Sequence, residues 1–253
     1  MLHDLDSDSS KIIEAVRSTG VVVTEAMRLY VDYIVSNMKA IGTWQLCTAV
    51  YGIVGGTASS HAINWKTIGT YTLAYGGGTI NHTSTGMKFN SNGYATTGLS
   101  PATISSSGLI SFGMYTNSTT TAIDGYDIGA WGNSGYTVLN LSPTFVNFLS
   151  PYATGNTQLN VVRSFSKGFY QVTQDGLIKG YINGGKQTGT YSYPASGIPN
   201  ISIYIGAADG NGIAGQFTDR QYCFDFFSSP LTDTQAQQQS QIVTNAQLIL
   251  NRA

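Results

Sequence analysis

The sequence predicts a mainly β protein: an antiparallel sandwich with a helical segment before it and one helix at its end. Residues 1–41 hold one of the 30 glycines, whereas residues 42–253 hold the others and all six prolines. In the second region, short β-branched and aromatic runs alternate with turn residues, as in sandwiches and barrels. The strand–helix alternation of parallel sheets is missing. We therefore divide the chain into a helical segment, 1–41, and a β domain, 42–253.

The helical segment carries an apolar stripe with heptad spacing. Thr24 is the predicted N-cap, and Glu25 follows in the first turn. The stripe consists of Met27, Val31, Ile34, Met38 and Ile41. Two interpretations stay open: an amphipathic helix packed on the β domain, or a docking and oligomerisation helix, for which a trimer is one option. Upstream, Gly20 and the valines after it predict a weak point in the helix.

Seven strands are predicted from β-branched and aromatic runs bounded by turn residues. They cover residues 109–117, 136–141, 158–163, 168–173, 177–182, 200–207 and 220–227. Asn183 and Gly184 follow the fifth strand and predict a two-residue hairpin turn with positive φ at both positions. The final helix begins with Thr232 and Gln235 in capping-box spacing.

Composition argues against several classes of function. Only 10% of residues are charged and the net charge is −1, so the basic surface of a nucleic-acid-binding protein is missing. No apolar run is long enough to cross a membrane. Cys47 and Cys223 are expected to be buried thiols, and the histidines lack metal-ligand spacing. No cofactor is predicted, because the glycine runs lack the Lys-Ser or Lys-Thr of a phosphate loop.

The acidic residues argue against glycoside hydrolysis. Glycosidases use a pair of carboxyl groups, one of which is a nucleophile or base and the other an acid. The chain contains only two glutamates, Glu14 and Glu25, and both lie in the helical segment. The aspartates of the β domain are better explained as turn residues. We therefore expect that the protein is not an enzyme.

Carbohydrate binding has a candidate segment in residues 124–133. Tyr126 or Trp131 could stack on a sugar ring, and Asp127 and Asn133 could accept hydrogen bonds from its hydroxyls. The alternative is that Ile128 and Trp131 point inward from a strand and the polar groups form turns. The alternative is favoured, because aromatic side chains in β proteins mostly lie in the core.

An ordered set of motifs between about residues 36 and 252 resembles one family. The motifs are IGTW at 41–44, AVYGIVGGTA at 49–58, HAIN at 61–64, NSNGYATT at 90–97, ISIYIGAADGNG at 201–212, FTDRQ at 217–221 and LTD at 231–233. They resemble the virion proteins of tailed bacteriophages of the crAss-like type. Gly52 departs from the pattern, because the family usually has proline there.

The resemblance implies a concanavalin-like or laminin-G-like jelly-roll sandwich. It also implies a structural protein of the virion, as a component of a head or tail fibre or a decoration protein, attached through its N-terminal helical region to capsid or tail proteins. A carbohydrate-binding adhesin that recognises host surface glycans is the alternative function.

Overall fold

Two antiparallel sheets pack face to face in the computed structural model, which describes residues 5–119, 124–132, 135–150, 157–163, 165–192 and 197–252. This confirms the predicted fold class, a mainly β sandwich with N-terminal helices and a C-terminal helix. The long helices are α1 (Ser7–Ser18), α2 (Glu25–Ala40) and α5 (Asp233–Ile249), and the one-turn helices are α3 (Ala58–His61) and α4 (Pro101–Ile104). A 3₁₀ turn, Trp44–Leu46, precedes the first strand.

The strands vary from two to eight residues in length. In chain order they are β1 (Cys47–Tyr51), β2 (Ala74–Gly76), β3 (Ile80–Thr83), β4 (Gly86–Phe89), β5 (Tyr94–Thr96), β6 (Ser111–Thr116), β7 (Gly125–Gly132), β8 (Gly135–Leu141), β9 (Phe145–Ser150), β10 (Thr157–Val162), β11 (Gly168–Gln174), β12 (Ile178–Ile182), β13 (Gly185–Lys186), β14 (Thr190–Ser192), β15 (Tyr204–Ile205), β16 (Ala208–Gly210), β17 (Ile213–Gly215) and β18 (Gln221–Ser228).

The strands form an eight-stranded and a ten-stranded sheet. The first has the order β13-β12-β11-β6-β18-β4-β3, with β1 beside β18. The second has the order β14-β10-β9-β8-β7-β15-β5-β2, with the β16-β17 hairpin beside β7. Inward side chains of both sheets, such as Phe112 and Phe148, form one apolar core. At Gly180 the packing is so close that a Cβ atom would lie 2.4 Å from the Phe148 ring, so only glycine fits.

The long helices cover the outer face of the eight-stranded sheet. Side chains of α1, α2 and α5 share a second apolar cluster with Phe224 and Phe226 of β18. The predicted caps are confirmed: Thr24 accepts a hydrogen bond from the Met27 amide, and Thr232 forms a capping box with Gln235. The predicted weak point is also present, because α1 and α2 are separate helices. None of the helices in the described ranges is long and apolar enough to cross a membrane.

The apolar stripe of α2 packs against its own chain. Val31, Ile34 and Met38 are at most 1% exposed, and Met27 and Ile41 pack against the same cluster. Of the two interpretations left open, the structure supports the amphipathic helix laid on the sandwich. Val31, Ile34 and Met38 are therefore not available as a docking or oligomerisation surface, because the chain itself already covers them, and Met27 and Ile41 are half-buried beside them.

The hairpin turn at Asn183 and Gly184 is confirmed. Both residues have positive φ, 49° and 80°, and Ile182 pairs with Gly185 across the turn. The Asn183 side-chain oxygen also accepts a hydrogen bond from the Phe169 amide at 2.8 Å. The turn therefore closes the edge of the eight-stranded sheet.

Candidate carbohydrate-binding face

The outer face of the ten-stranded sheet carries a row of amide side chains. In β8, β9 and β10 the inward residues, such as Leu139, Phe148 and Leu159, fill the core. Because side chains alternate along a strand, their neighbours point outward. Asn140, Asn147 and Asn160 are register partners on these strands, so they lie side by side on the outer face.

Hydrogen bonds link this row in two parts, Asn140 with Asn147 and Gln158 with Asn160. Asn140 donates to the Asp124 carboxylate at 3.0 Å and to the Gly125 carbonyl at 2.7 Å. Asn147 donates to the Asn140 side-chain oxygen at 3.3 Å. Gln158 donates to the Asn160 side-chain oxygen at 2.6 Å. These contacts fix the orientation of each amide, so the row is organised before any ligand binds.

Three aromatic side chains border the row on the same face. Tyr126 is the register partner of Asn140, and Trp131 is the partner of Tyr136. The ring centroids of Tyr126 and Trp131 are 6.4 Å apart, and those of Trp131 and Tyr136 are 5.4 Å apart. Trp131 is 38% exposed, and both tyrosines are half-buried. We call the group formed by Tyr126, Trp131, Tyr136, Asn140, Asn147, Gln158 and Asn160 the amide face; within it Asn140 is buried, and Asn147, Gln158 and Asn160 are half-buried.

A β-bulge brings Tyr126 and Trp131 to the same side. They are five positions apart, and odd spacing places residues of a regular strand on opposite faces. The register with β8 shifts between Tyr126 and Ile128, which corrects this. Ile128 lies in the core, as expected, whereas Trp131 points outward.

Asp127, the residue at the bulge, is buried, so the prediction that it contacts a sugar is wrong. Its carboxylate is 0% exposed and forms an ion pair with Arg220 at 2.8 Å. It also accepts hydrogen bonds from the Tyr222 hydroxyl and the Leu141 amide. All its acceptor positions therefore face the protein interior. Asn133, the fourth predicted contact, lies outside the described residues.

Burial raises the pKa of Tyr126, and the nearby Asp124 carboxylate raises it further. The phenol therefore stays protonated over the physiological range and can donate a hydrogen bond. The Asn147 side-chain oxygen is buried and has no hydrogen-bond partner among the described residues. The face thus offers a hydroxyl donor at Tyr126, whereas the Asn147 oxygen is covered by the protein itself.

A separate small pocket lies at the end of the sandwich, with a volume of about 320 Å³. It is lined by Ala58, Tyr75, the glycines 76–78, Ile80 and His82. Behind it, His61 accepts a hydrogen bond from the Gly56 amide, and its other ring nitrogen lies 3.0 Å from His82. The pKa of His61 is lowered to about 3, mainly because the ring is buried, so the ring is neutral.

Neither cysteine has the environment of a nucleophile. Cys47 and Cys223 are free and buried, and burial raises the pKa of each thiol to about 12. Within the described ranges, no three His, Cys, Asp or Glu side chains form a group that could hold a metal ion. The predicted core role of both thiols fits this burial.

Comparison with known proteins gives a likeness of fold alone. No family model and no curated protein match the sequence. Among solved structures, botulinum neurotoxin type C, which depends upon interaction with two ganglioside molecules to enter cells, is 14% identical with a TM-score of 0.51; the match covers 84% of this chain and 53% of that one. The receptor-binding domain of the mosaic neurotoxin C/D is 14% identical with a TM-score of 0.51, over 76% of this chain and 49% of that one.

A third neighbour is domain 4 of the extracellular arabinanase AbnA from Geobacillus stearothermophilus, in complex with arabinotriose. It is 15% identical with a TM-score of 0.47, and the match covers 77% of this chain and 98% of the domain. This chain therefore spans about half the length of the neurotoxin chains and nearly all of the arabinanase domain. All three are similar to it as β-sandwich domains.

Proposed function

We propose that the protein binds carbohydrates and that the amide face is its binding surface. The observation that carries this proposal is the row of hydrogen-bonded amides beside one exposed ring, Trp131, and two half-buried tyrosines on one sheet face. Sugars present hydroxyl groups and patches of C–H bonds, so they need paired donors and acceptors next to an apolar, aromatic surface. Asn147, Asn160 and Trp131 supply these groups.

Binding would use the groups that the protein leaves free. The half-buried side chains of Asn147 and Asn160 would exchange hydrogen bonds with sugar hydroxyls. The Tyr126 hydroxyl would donate to a second sugar oxygen, and Trp131 would cover the apolar face of the ring. The fold supports the proposal: the neurotoxin with a similar sandwich depends upon gangliosides, which are glycolipids.

We also propose that the domain belongs to a bacteriophage virion and acts there as an adhesin for host glycans. The ordered motifs from IGTW to LTD support this, because they resemble crAss-like virion proteins. Its partners would then be capsid or tail proteins, and oligomerisation would use surfaces other than the buried stripe of α2. Mass spectrometry of purified particles that contain this protein tests its location in the virion.

We further propose that the protein has no enzymatic activity. A glycosidase needs a pair of carboxyl groups at its site, and both glutamates of this chain lie in the helical segment, not in the β domain that carries the amide face.

A glycan array tests the binding function directly. We expect the wild-type chain to bind a defined set of glycans and Trp131→Ala to lose at least about tenfold in affinity, because the exposed ring is removed. Leu248→Ala is the matched control, since Leu248 is 61% exposed on α5, on the opposite side of the molecule. An array without any bound glycan, or equal loss in both variants, would refute the proposal.

A further inference from the structure

We infer that the amide face selects neutral saccharides and discriminates against anionic ones, such as sialylated, sulfated or uronic acid-containing glycans. This inference rests on the proposed carbohydrate-binding function and names the class of ligand. It depends on which charged side chains the chain places on and around the ten-stranded sheet.

The ten-stranded sheet contains no cationic residue. None of its ten strands includes a lysine or arginine. The sequence has none between Lys88 and Arg163, and none between Lys186 and Arg220. These two stretches also contain nearly all the loops that connect the strands, so the loops bring no cation to the face either.

The cations at the ends of these stretches are directed elsewhere. Arg220 is 0% exposed and is held in the interior by Asp127. Lys186 pairs with Asp233 at 2.6 Å, at the N-terminus of α5 on the helical side. Lys88 lies on β4, in the eight-stranded sheet. Arg163 directly follows β10, two positions after Val161, whose side chain lies in the core.

The charge that does border the amide row is negative. Asp124 is exposed, and its carboxylate accepts the Asn140 hydrogen bond at 3.0 Å. An anionic sugar bound across the row would lie near this carboxylate without a compensating cation. Proteins usually bind carboxylate and sulfate groups with arginine or lysine, which form charge-assisted hydrogen bonds. Neutral amides are instead suited to uncharged hydroxyl and acetamido groups.

Matched pairs of glycans test this inference. Each pair shares one neutral core, with and without a terminal sialic acid or a sulfate, and the affinity of the wild-type chain is measured for both members. We expect the neutral member to bind at least about tenfold more tightly, since each tenfold corresponds to about 1.4 kcal/mol, within reach of one uncompensated charge contact. Higher salt should bring the affinities for the neutral and the anionic glycan closer together, because salt screens the charge of the Asp124 carboxylate.

Asp124→Asn gives a second, independent measurement. This change keeps a side-chain oxygen for Asn140 and removes the negative charge. We expect the ratio of the affinity for the neutral glycan to the affinity for its anionic partner to be several-fold smaller in this variant than in the wild type. Equal or tighter binding of the anionic member by the wild-type chain would overturn the inference and leave the proposed function intact. Failure to bind either member of every pair would overturn the proposed function, and this inference with it.

Discussion

Arg220 and Asp127 form an ion pair in the interior of the sandwich, 93 positions apart in the sequence. One guanidinium nitrogen of Arg220 contacts both carboxylate oxygens, at 2.8 and 3.0 Å, and the other donates to the Leu141 carbonyl. The pair joins Arg220, the residue directly before β18 of the eight-stranded sheet, to β7 of the ten-stranded sheet. It therefore fixes how the bulge of β7, and with it the aromatic part of the amide face, sits over the core.

Asp127→Ala should destabilise the fold strongly. It leaves the Arg220 charge buried without its partner, which typically costs about 3–5 kcal/mol. Urea unfolding measures this loss. Asp175→Ala is the control: Asp175 forms an ion pair with Lys179 at 2.7 Å and is 44% exposed, so its loss should cost less than about 1 kcal/mol. Similar small losses in both variants would show that the buried pair is not a structural contact.

Asp225 is a second buried acid, and none of the described residues pairs with its side chain. Both carboxyl oxygens are buried without a hydrogen bond to any described residue. Burial raises the pKa of Asp225 well above its usual value, and the negative charge of Asp127 raises it further. The folded chain then keeps a proton that the unfolded chain releases above pH ~4, so the free energy of unfolding falls as the pH rises.

Asp225→Asn should remove this dependence. Relative to the wild type, the variant should gain up to about 1.4 kcal/mol of stability for each pH unit above ~4, until the folded-state pKa is reached. Urea unfolding across the pH range measures the difference. Leu29→Ala removes no titrating group, so its free energy of unfolding should differ from that of the wild type by the same amount at every pH. A constant difference for Asp225→Asn as well would mean that the carboxyl group is ionised in the fold.

At the scale of elements, the helical layer forms part of the domain core. Tyr30 of α2 donates a hydrogen bond to the Gly52 carbonyl at 3.0 Å and accepts one from Gln247 of α5 at 3.1 Å. Trp44 donates to the Asp8 carboxylate of α1 at 3.1 Å. The boundary at residue 41 stays a prediction about sequence regions, and these contacts cross it.

Ile34→Ala tests whether the α2 stripe stabilises the chain itself. Ile34 is 0% exposed, so its truncation should lower the free energy of unfolding by about 2–5 kcal/mol. Leu29→Ala, on the same helix but 52% exposed, should change it by less than about 0.5 kcal/mol. If Ile34→Ala left stability unchanged and altered only the oligomeric state, the stripe would be a docking surface after all.

The sequence predicted those elements whose signals are local. The caps at Thr24 and Thr232 and the turn at Asn183 each depend on a few neighbouring residues, and all are present. Strand β7 is not among the seven predicted strands, because its glycines and Asp127 resemble turn residues. Between 200 and 207, only Tyr204–Ile205 forms a strand.

The amide row escaped prediction for a different reason. Asn140, Asn147 and Asn160 lie on three strands, and only the register of β8, β9 and β10 brings them together. Their alternation with Leu139, Phe148 and Leu159 was the available signal for an outward polar position. Tyr126 and Trp131 were found as aromatic residues in one segment, but the bulge that unites them depends on the pairing with β8.

At the scale of the whole molecule, the three layers differ in what they expose. The helical layer covers one face of the eight-stranded sheet, and the apolar core fills the space between the sheets. The long helices pack only on the eight-stranded sheet, so the outer face of the ten-stranded sheet is left for its amides and aromatic rings.

Nuclear magnetic resonance titration with the best glycan from the array is the most direct test of this account. We predict that the side-chain amide signals of Asn147 and Asn160 and the indole signal of Trp131 shift in proportion to bound glycan, while signals of α1, α2 and α5 stay unchanged. Shifts confined to another region, such as the pocket beside Tyr75 and His82, would contradict the assignment of the amide face as the binding surface.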